Sequence, residues 1–96
     1  MGQPVIYVGT YQIKEGKRDD FARYWREFVE FVEVSEPRLI AFNAYVNEEG
    51  DEVAVVQVHP DGDSVEFHMK VIREHMEHAA WEFLGDVVSE HVYGVI

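Results

Sequence analysis

Apolar and polar residues follow two kinds of spacing along the chain, and both predict regular structure. Short, mostly apolar segments bounded by turn residues, whose successive side chains would point to opposite faces, predict strands over residues 4–13, 38–47, 52–59 and 86–96. Apolar residues recur every three to four positions over residues 19–34 and 61–84, which predicts helices there. The order is β-α-β-β-α-β. Because crossover connections are right-handed, it predicts an α+β, ferredoxin-like fold: a four-stranded antiparallel sheet with both helices on one face.

The first predicted helix carries an aromatic face. Phe21, Trp25, Phe28 and Val32 recur at helical spacing, with Tyr24 beside them. Asp19 or Asp20 is a candidate N-cap, and Pro37 requires the helix to end before it. This face is expected to pack on the sheet.

The second predicted helix, over residues 61–84, carries three of the five histidines. Asp61, Asp63 and Ser64 are candidate caps, and Gly85 is a plausible stop, although a break within the segment stays open. Its predicted core stripe consists of Val65, Met69, Ile72, Met76, Ala79 and Phe83. His68 and His75 are expected on the flank of that stripe, and His78 nearer to solvent.

The two strands at residues 38–47 and 52–59 are apolar on both faces and are joined by a glycine-containing turn. Two helices on one side cover only one face of the sheet. An exposed apolar face of that size is typical of an interface, so the sequence predicts a homodimer packed sheet against sheet.

Composition narrows the possible partners. The 96 residues, 1–96, are expected to form one domain, and the chain has no cysteine. The net charge of −11 argues against binding to nucleic acid or to an anionic membrane, because both need a cationic surface. No apolar run approaches the roughly 18 residues that span a bilayer, so a cytoplasmic location is expected.

The stretch VAVVQVHPDGDSVEFHM, residues 53–69, resembles a known superfamily. An aliphatic strand, an acidic turn and a helix with a histidine one turn in, here SVEFHM, are similar to the antibiotic biosynthesis monooxygenase-like domains of the dimeric α/β barrels. The resemblance implies a dimeric α/β barrel with a pocket between sheet and helices. It also implies a possible cofactor-independent monooxygenase acting on a flat, aromatic, polyketide-like substrate. The superfamily includes haem-binding and non-catalytic members as well.

The resemblance also bears on haem. Its haem-degrading branch holds haem with Asn, Trp and His, and alignment at the strand–helix junction places Thr10, His68 and His78 at those positions. Only His78 matches, so tight haem binding is not expected. The monooxygenase branch surrounds its substrate with Asn, Trp, Tyr and Arg. This chain offers Tyr24, Trp25, Asn43, Tyr45 and Trp81 as residues of those types, without a one-to-one match.

We take His68 and His75 as candidate catalytic bases, since imidazole exchanges protons near neutral pH. A hydrogen-bonded, purely structural histidine is the alternative for each. The predicted substrate-binding residues are Thr10, Tyr24, Trp25, Phe28, Asn43, His78 and Trp81. His75 and His78 could chelate a metal but lack a third ligand at diagnostic spacing, so neither metal nor cofactor is predicted.

Two function classes follow: an enzyme acting on a small aromatic molecule, or a non-catalytic ligand-binding or scaffold dimer. A cavity of about 300 Å³ or more with His68 on its wall would favour the first. Glu66, Glu74 and Glu82 point away from His68 on a helix, so a neutral His68 is expected. His59 and His91 have no predicted role.

Overall fold

The structure of the chain is a computed structural model that describes residues 3–75 and 80–96. Its elements confirm the predicted order and fold class. They are β1 (Val5–Ile13), α1 (Arg18–Ser35), β2 (Ala41–Val46), β3 (Glu52–His59), α2 (Gly62–His75) and β4 (Leu84–Gly94), with a short 3-10 turn at Ala80–Glu82. Within these residues no helix is long and apolar enough to cross a membrane.

The four strands form one antiparallel sheet in the order β2-β3-β1-β4. Successive side chains point to opposite faces, so the register assigns every strand residue to a face. The helix face carries Tyr7, Tyr11, Phe42, Val53, Val55, Gln57, Glu90 and Val92. The open face carries Ile6, Val8, Thr10, Asn43, Tyr45, Ala54, Val56, Val58, His91 and Tyr93.

Helix α1 packs its apolar stripe on the sheet as predicted. Phe21, Phe28 and Val32 are buried against Val53, Val55, Phe42 and Leu84. The predicted cap is wrong, because Lys17 precedes the helix and makes no side-chain cap bond. Asp19 and Asp20 lie in the first turn instead, where a negative charge suits the helix dipole.

The prediction of one helix over residues 61–84 is wrong at its C-terminal end. Helix α2 is described over Gly62–His75, Ala80–Glu82 form a 3-10 turn, and the chain is already in β4 at Leu84. Leu84 pairs with Ile13 and is buried with Phe21, so the core holds this residue as a strand. Gly85 therefore lies inside β4 rather than stopping a helix. Met76 and Ala79 lie outside the described residues.

The buried face of α2 is rotated by about one residue from the predicted stripe. Ser64, His68 and Val71 are buried, whereas Met69 is 47% exposed. The prediction treated histidine as a flanking residue, but His68 has a buried partner (described below) that allows it to occupy the core. The start of α2 agrees with prediction, since Asp61 Oδ1 accepts the backbone N–H of Ser64 at 2.9 Å.

Candidate ligand-binding site

A cavity of about 510 Å³ lies between the helix face of the sheet and the two helices. This volume falls within the range of small-molecule pockets, roughly 300 to 1,000 Å³. Its wall is formed by Val5, Tyr7, Tyr11, Phe21, Tyr24, Trp25, Phe28, Phe42, Val55, Gln57, Val65, His68, Met69, Ile72, Trp81, Leu84, Glu90 and Val92. The cavity meets the volume expected for a binding protein, and His68 lies on its wall.

Aromatic rings form much of the wall and hold one another in place. The Trp25 ring centroid lies 4.7 Å from that of Phe42, and it meets Phe28 edge-on at 5.7 Å. On the other side of the cavity, Trp81 meets Tyr11 edge-on at 6.1 Å. Rings packed in this way bury large apolar areas in fixed orientations, which suits a flat apolar ligand.

His68 is bonded to a carboxylate from the end of α1. Its Nδ1 lies 2.9 Å from both carboxylate oxygens of Glu36, and the two side chains are each only 2% exposed. Burial raises the pKa of Glu36 to about 7 and lowers the pKa of His68 to about 4. The pair therefore favours forms with little charge, and any contact of His68 with a ligand must use Nε2.

A second buried histidine supports His68. The His59 ring meets that of His68 at 5.4 Å, and its Nε2–H donates to Gln57 Oε1 at 2.9 Å. Its Nδ1 accepts the Ser64 hydroxyl at 2.8 Å. Burial, together with the neighbouring His68, lowers the pKa of His59 to about 4, so the ring is neutral. His59, given no role in the sequence analysis, thus ties β3 to α2 behind His68.

Three polar groups meet at the β4 end of the cavity. The Tyr7 and Tyr11 hydroxyls are 2.5 Å apart, and they lie 3.0 and 3.3 Å from Glu90 Oε1, which can accept from either of them. Gly9 makes this arrangement possible, since a Cβ there would lie 2.7 Å from the Tyr11 hydroxyl and would overlap Tyr7. We call Tyr7, Tyr11 and Glu90 the tyrosine–glutamate cluster.

The Tyr24 hydroxyl is a polar atom on the cavity wall whose bonding is incomplete. It is buried and has no hydrogen-bond partner among the described residues. Burial raises the pKa of Tyr24 to about 12, so the phenol keeps its proton. An unsatisfied buried donor is costly, and a ligand acceptor would satisfy it.

Five of the nine predicted site residues line the cavity: Tyr24, Trp25, Phe28, His68 and Trp81. Thr10 and Asn43 do not, because they belong to the open face, where Thr10 Oγ1 lies 2.6 Å from Ser89 Oγ. His75 is the last described residue of α2, and its side chain lies outside the described groups, as does all of His78. In the described part of the chain, no three His, Asp or Glu side chains are grouped to hold a metal.

Several residues of the candidate site escaped the sequence analysis: Gln57 and Glu90 on the cavity wall, and Glu36, the buried partner of His68. Tyr7 and Tyr11 did show a signal, since their spacing puts them on one face of β1. That spacing does not tell which face meets the helices. Glu36 lies 32 positions from His68, so no local periodicity links the two residues.

Comparison with known proteins identifies the fold. Neither protein-family models nor curated proteins match the sequence. Among solved structures, MupZ from Pseudomonas fluorescens superposes with a TM-score of 0.83 at 21% identity, over 98% of this chain and 70% of that one. A "putative antibiotic biosynthesis monooxygenase" from Chloroflexus aurantiacus gives 0.77 at 11% identity, over 97% and 93%. The chain therefore has the ferredoxin-like fold of the antibiotic biosynthesis monooxygenase-like proteins that its sequence resembles.

Proposed function

We propose that this protein binds a small, flat, largely apolar molecule in the cavity between its sheet and helices. The observation that carries the proposal is the 510 Å³ cavity walled by Trp25, Phe28, Phe42 and Trp81, with His68 among them. A scaffold without a ligand would gain stability by filling this space, because empty volume costs packing energy.

The polar groups on the wall suit a ligand with a few hydrogen-bonding atoms. Tyr24 offers an unused hydroxyl proton, and Gln57, whose Oε1 is held by His59, offers its amide N–H groups. A few such groups in an apolar wall orient a ligand while the rings supply the affinity.

The Glu36–His68 pair favours cofactor-independent monooxygenation as the reaction of this protein. With Glu36 ionised, His68 carries its proton on Nδ1, and Nε2 is free to take a proton from an acidic substrate C–H. The Glu36 carboxylate then stabilises the imidazolium that forms, in the way a buried acid supports a catalytic histidine. The substrate carbanion donates its electron pair to dioxygen and forms a C–O bond with it, and the imidazolium returns the proton to give a hydroperoxide. Loss of water from this hydroperoxide leaves one oxygen atom in the product as a carbonyl. The structures named after antibiotic biosynthesis monooxygenases support the same choice through their fold.

A homodimer packed through the open face is part of this proposal. The open face carries Ile6, Tyr45 and Tyr93, which are 40, 58 and 54% exposed. Burying such side chains against a second copy removes a contiguous apolar surface from water.

Calorimetric titration with 2-methoxynaphthalene, a neutral flat probe, tests the binding proposal. Val65→Phe places a ring in the cavity from α2 and should weaken binding by at least about tenfold, because it takes the space of the ligand. Val34→Phe, at a position 84% exposed on α1, is the matched control and should bind as the wild type does. Absence of binding, or equal loss in both variants, would contradict the proposal.

Oxygen uptake with an anthrone, whose C–H is acidified by a carbonyl and two rings, tests the reaction. The rate should rise with pH as Glu36 loses its proton, with a midpoint near the Glu36 pKa of about 7. Glu36→Gln should remove this rise of the rate with pH, and His68→Gln should abolish oxygen uptake. If the wild type binds the anthrone without consuming oxygen, the binding function stands and the monooxygenase does not.

A further inference from the structure

The tyrosine–glutamate cluster has used all of its own protons. Tyr7 donates to Glu90 and Tyr11 to Tyr7, or Tyr11 donates to Glu90 and Tyr7 to Tyr11. In both arrangements the two phenolic protons are shared within the cluster, while lone pairs remain on a phenol oxygen and on the carboxylate. The cluster itself therefore accepts hydrogen bonds and offers none.

The charge of the cavity wall also disfavours a ligand that carries negative charge. Among the described residues of the wall, Glu90 is the only acid, and lysine and arginine are absent. His68 is bonded through Nδ1 to Glu36 and is not a free cation. The chain as a whole carries a net charge of −11. An anionic ligand would meet a carboxylate with no compensating cation, which disfavours its binding.

The tyrosine–glutamate cluster and His68 both lie on the helix face, but toward opposite edges of the sheet. Glu90 is in β4, one edge strand, whereas His68 contacts Phe42 in β2, the other edge strand, at 5.1 Å. Glu90 is exposed, so the β4 end of the cavity meets solvent. A ligand group bonded to the cluster is thus held on the side away from His68.

We propose that the tyrosine–glutamate cluster is a recognition site for a hydrogen-bond donor on the ligand, an alcohol or phenol O–H or an amine N–H, and that it excludes carboxylates. The inference rests on the proposed binding function and adds the chemical class of the ligand. Tyr7, Tyr11 and Glu90 act here as specificity-determining residues and take no part in proton transfer at His68.

A matched series of naphthalenes tests the proposal by calorimetric titration at neutral pH. The probes are 2-naphthol, 2-(aminomethyl)naphthalene, 2-methoxynaphthalene and 2-naphthoate, which share the flat rings and differ in one substituent. We expect 2-naphthol to bind about tenfold more tightly than its methyl ether, since a good hydrogen bond to a charged acceptor is worth about that much. The naphthoate should bind most weakly. Tighter binding of the ammonium probe than of naphthol would identify an amine, and the reverse an alcohol or phenol.

Glu90→Gln tests whether the preference arises at the cluster. It replaces the carboxylate with a neutral amide. The ratio of the affinity for 2-naphthol to that for 2-methoxynaphthalene should therefore fall to about twofold, and 2-naphthoate should bind more tightly than to the wild type. Glu49→Gln changes the net charge equally but lies in the exposed turn between β2 and β3, and it should keep the wild-type ratio. Tyr7→Phe is a second variant, which removes a phenol oxygen that can accept a hydrogen bond from the ligand and should also lower the ratio of the two affinities.

The outcomes separate this inference from the proposed function. If the ether binds but naphthol binds no better, or if Glu90→Gln leaves the ratio unchanged, the donor site is wrong while the cavity still binds aromatic molecules. If none of the four probes binds, both proposals fail. Naphthoate binding as tightly as naphthol would also overturn the inference, because it would show that the cluster does not exclude anions.

Discussion

Glu36 and His68 are 32 positions apart in the chain, yet the carboxylate and the imidazole Nδ1 meet at 2.9 Å in the protein interior. The contact joins the end of α1 to the second turn of α2. Both groups are almost fully buried, so each is held in a state that water would not favour. The pair links the fold to the chemistry of the cavity. The number of protons that the pair binds at a given pH can be tested through the pH dependence of stability.

The first prediction concerns the pH dependence of stability. Burial raises the pKa of Glu36 from 4.5 to about 7 and lowers the pKa of His68 from 6.5 to about 4. Between pH 4.5 and 6.5 the folded pair keeps one proton, on Glu36, and the unfolded chain also keeps one, on His68. Because the numbers of bound protons are equal, the pair contributes no slope to the free energy of unfolding in this range.

Removing either partner should make the free energy of unfolding depend on pH, with opposite signs for the two variants. Glu36→Gln leaves a histidine with a lowered pKa, so the free energy of unfolding, relative to wild type, should rise as pH increases from about 4 to 6.5. His68→Gln leaves a carboxyl with a raised pKa, so the relative free energy should fall as pH increases from 4.5 to about 7. Urea unfolding at a series of pH values measures both, and exposed Glu33→Gln serves as control. Slopes of the same sign would disprove the assignment.

The sequence was sufficient for the fold, and five of its nine predicted site residues lie on the cavity wall. The aromatic stripe of α1 predicted Tyr24, Trp25 and Phe28 correctly as a surface facing the sheet, because helical periodicity reports burial directly. Thr10 was selected by alignment with a resembling family. A strand alternates its side chains at every residue, so an offset of one position moves a side chain to the other face. Thr10 consequently lies on the open face, between its neighbour Gly9 and the cavity residue Tyr11.

Sequence patterns could not predict the Glu36–His68 pair, for a different reason. Glu36 follows α1 and precedes Pro37, where no period applies, and its partner comes from another helix. The acids considered for His68 were those on its own helix. Only the packing of α1 and α2 on one sheet brings the two groups together, so a long-range contact defines the site.

A second prediction concerns Gly9, over which the hydroxyls of Tyr7 and Tyr11 meet. In the wild type, Gly9→Ala should be destabilising, because the new Cβ would overlap Tyr7 and lie 2.7 Å from the Tyr11 hydroxyl. In a Tyr7→Phe/Tyr11→Phe background those hydroxyls are gone, and the same change should cost less. Chemical unfolding of the four proteins in this cycle gives the coupling, expected at about 1 kcal/mol or more for groups in contact. An additive cycle would show that the hydroxyls do not occupy the space above Gly9.

A third prediction concerns the unpartnered hydroxyl of Tyr24. Without ligand, Tyr24→Phe should raise the melting temperature by a few degrees, because it removes a buried donor that lacks a partner among the described residues. A fall in the melting temperature on Tyr24→Phe would show that the hydroxyl is already satisfied in the free protein.

The last prediction concerns the open face, where Val56 lies in a central position. Val56 is in β3, an inner strand, and its neighbours in register are Val8 in β1 and Asn43 in β2. If a second copy covers this face, Val56→Asp buries an uncompensated carboxylate in the interface, at a cost of about 3 to 5 kcal/mol. Sedimentation equilibrium at micromolar concentration should therefore give twice the chain mass for the wild type and the chain mass for Val56→Asp. Val34→Asp introduces the same charge at a site 84% exposed on α1 and should stay dimeric. Val53 is unsuitable for this test because it is fully buried on the helix face, where a charge would disrupt the monomer itself. A monomeric wild type, or a Val56→Asp variant that remains dimeric, would exclude the open face as the interface.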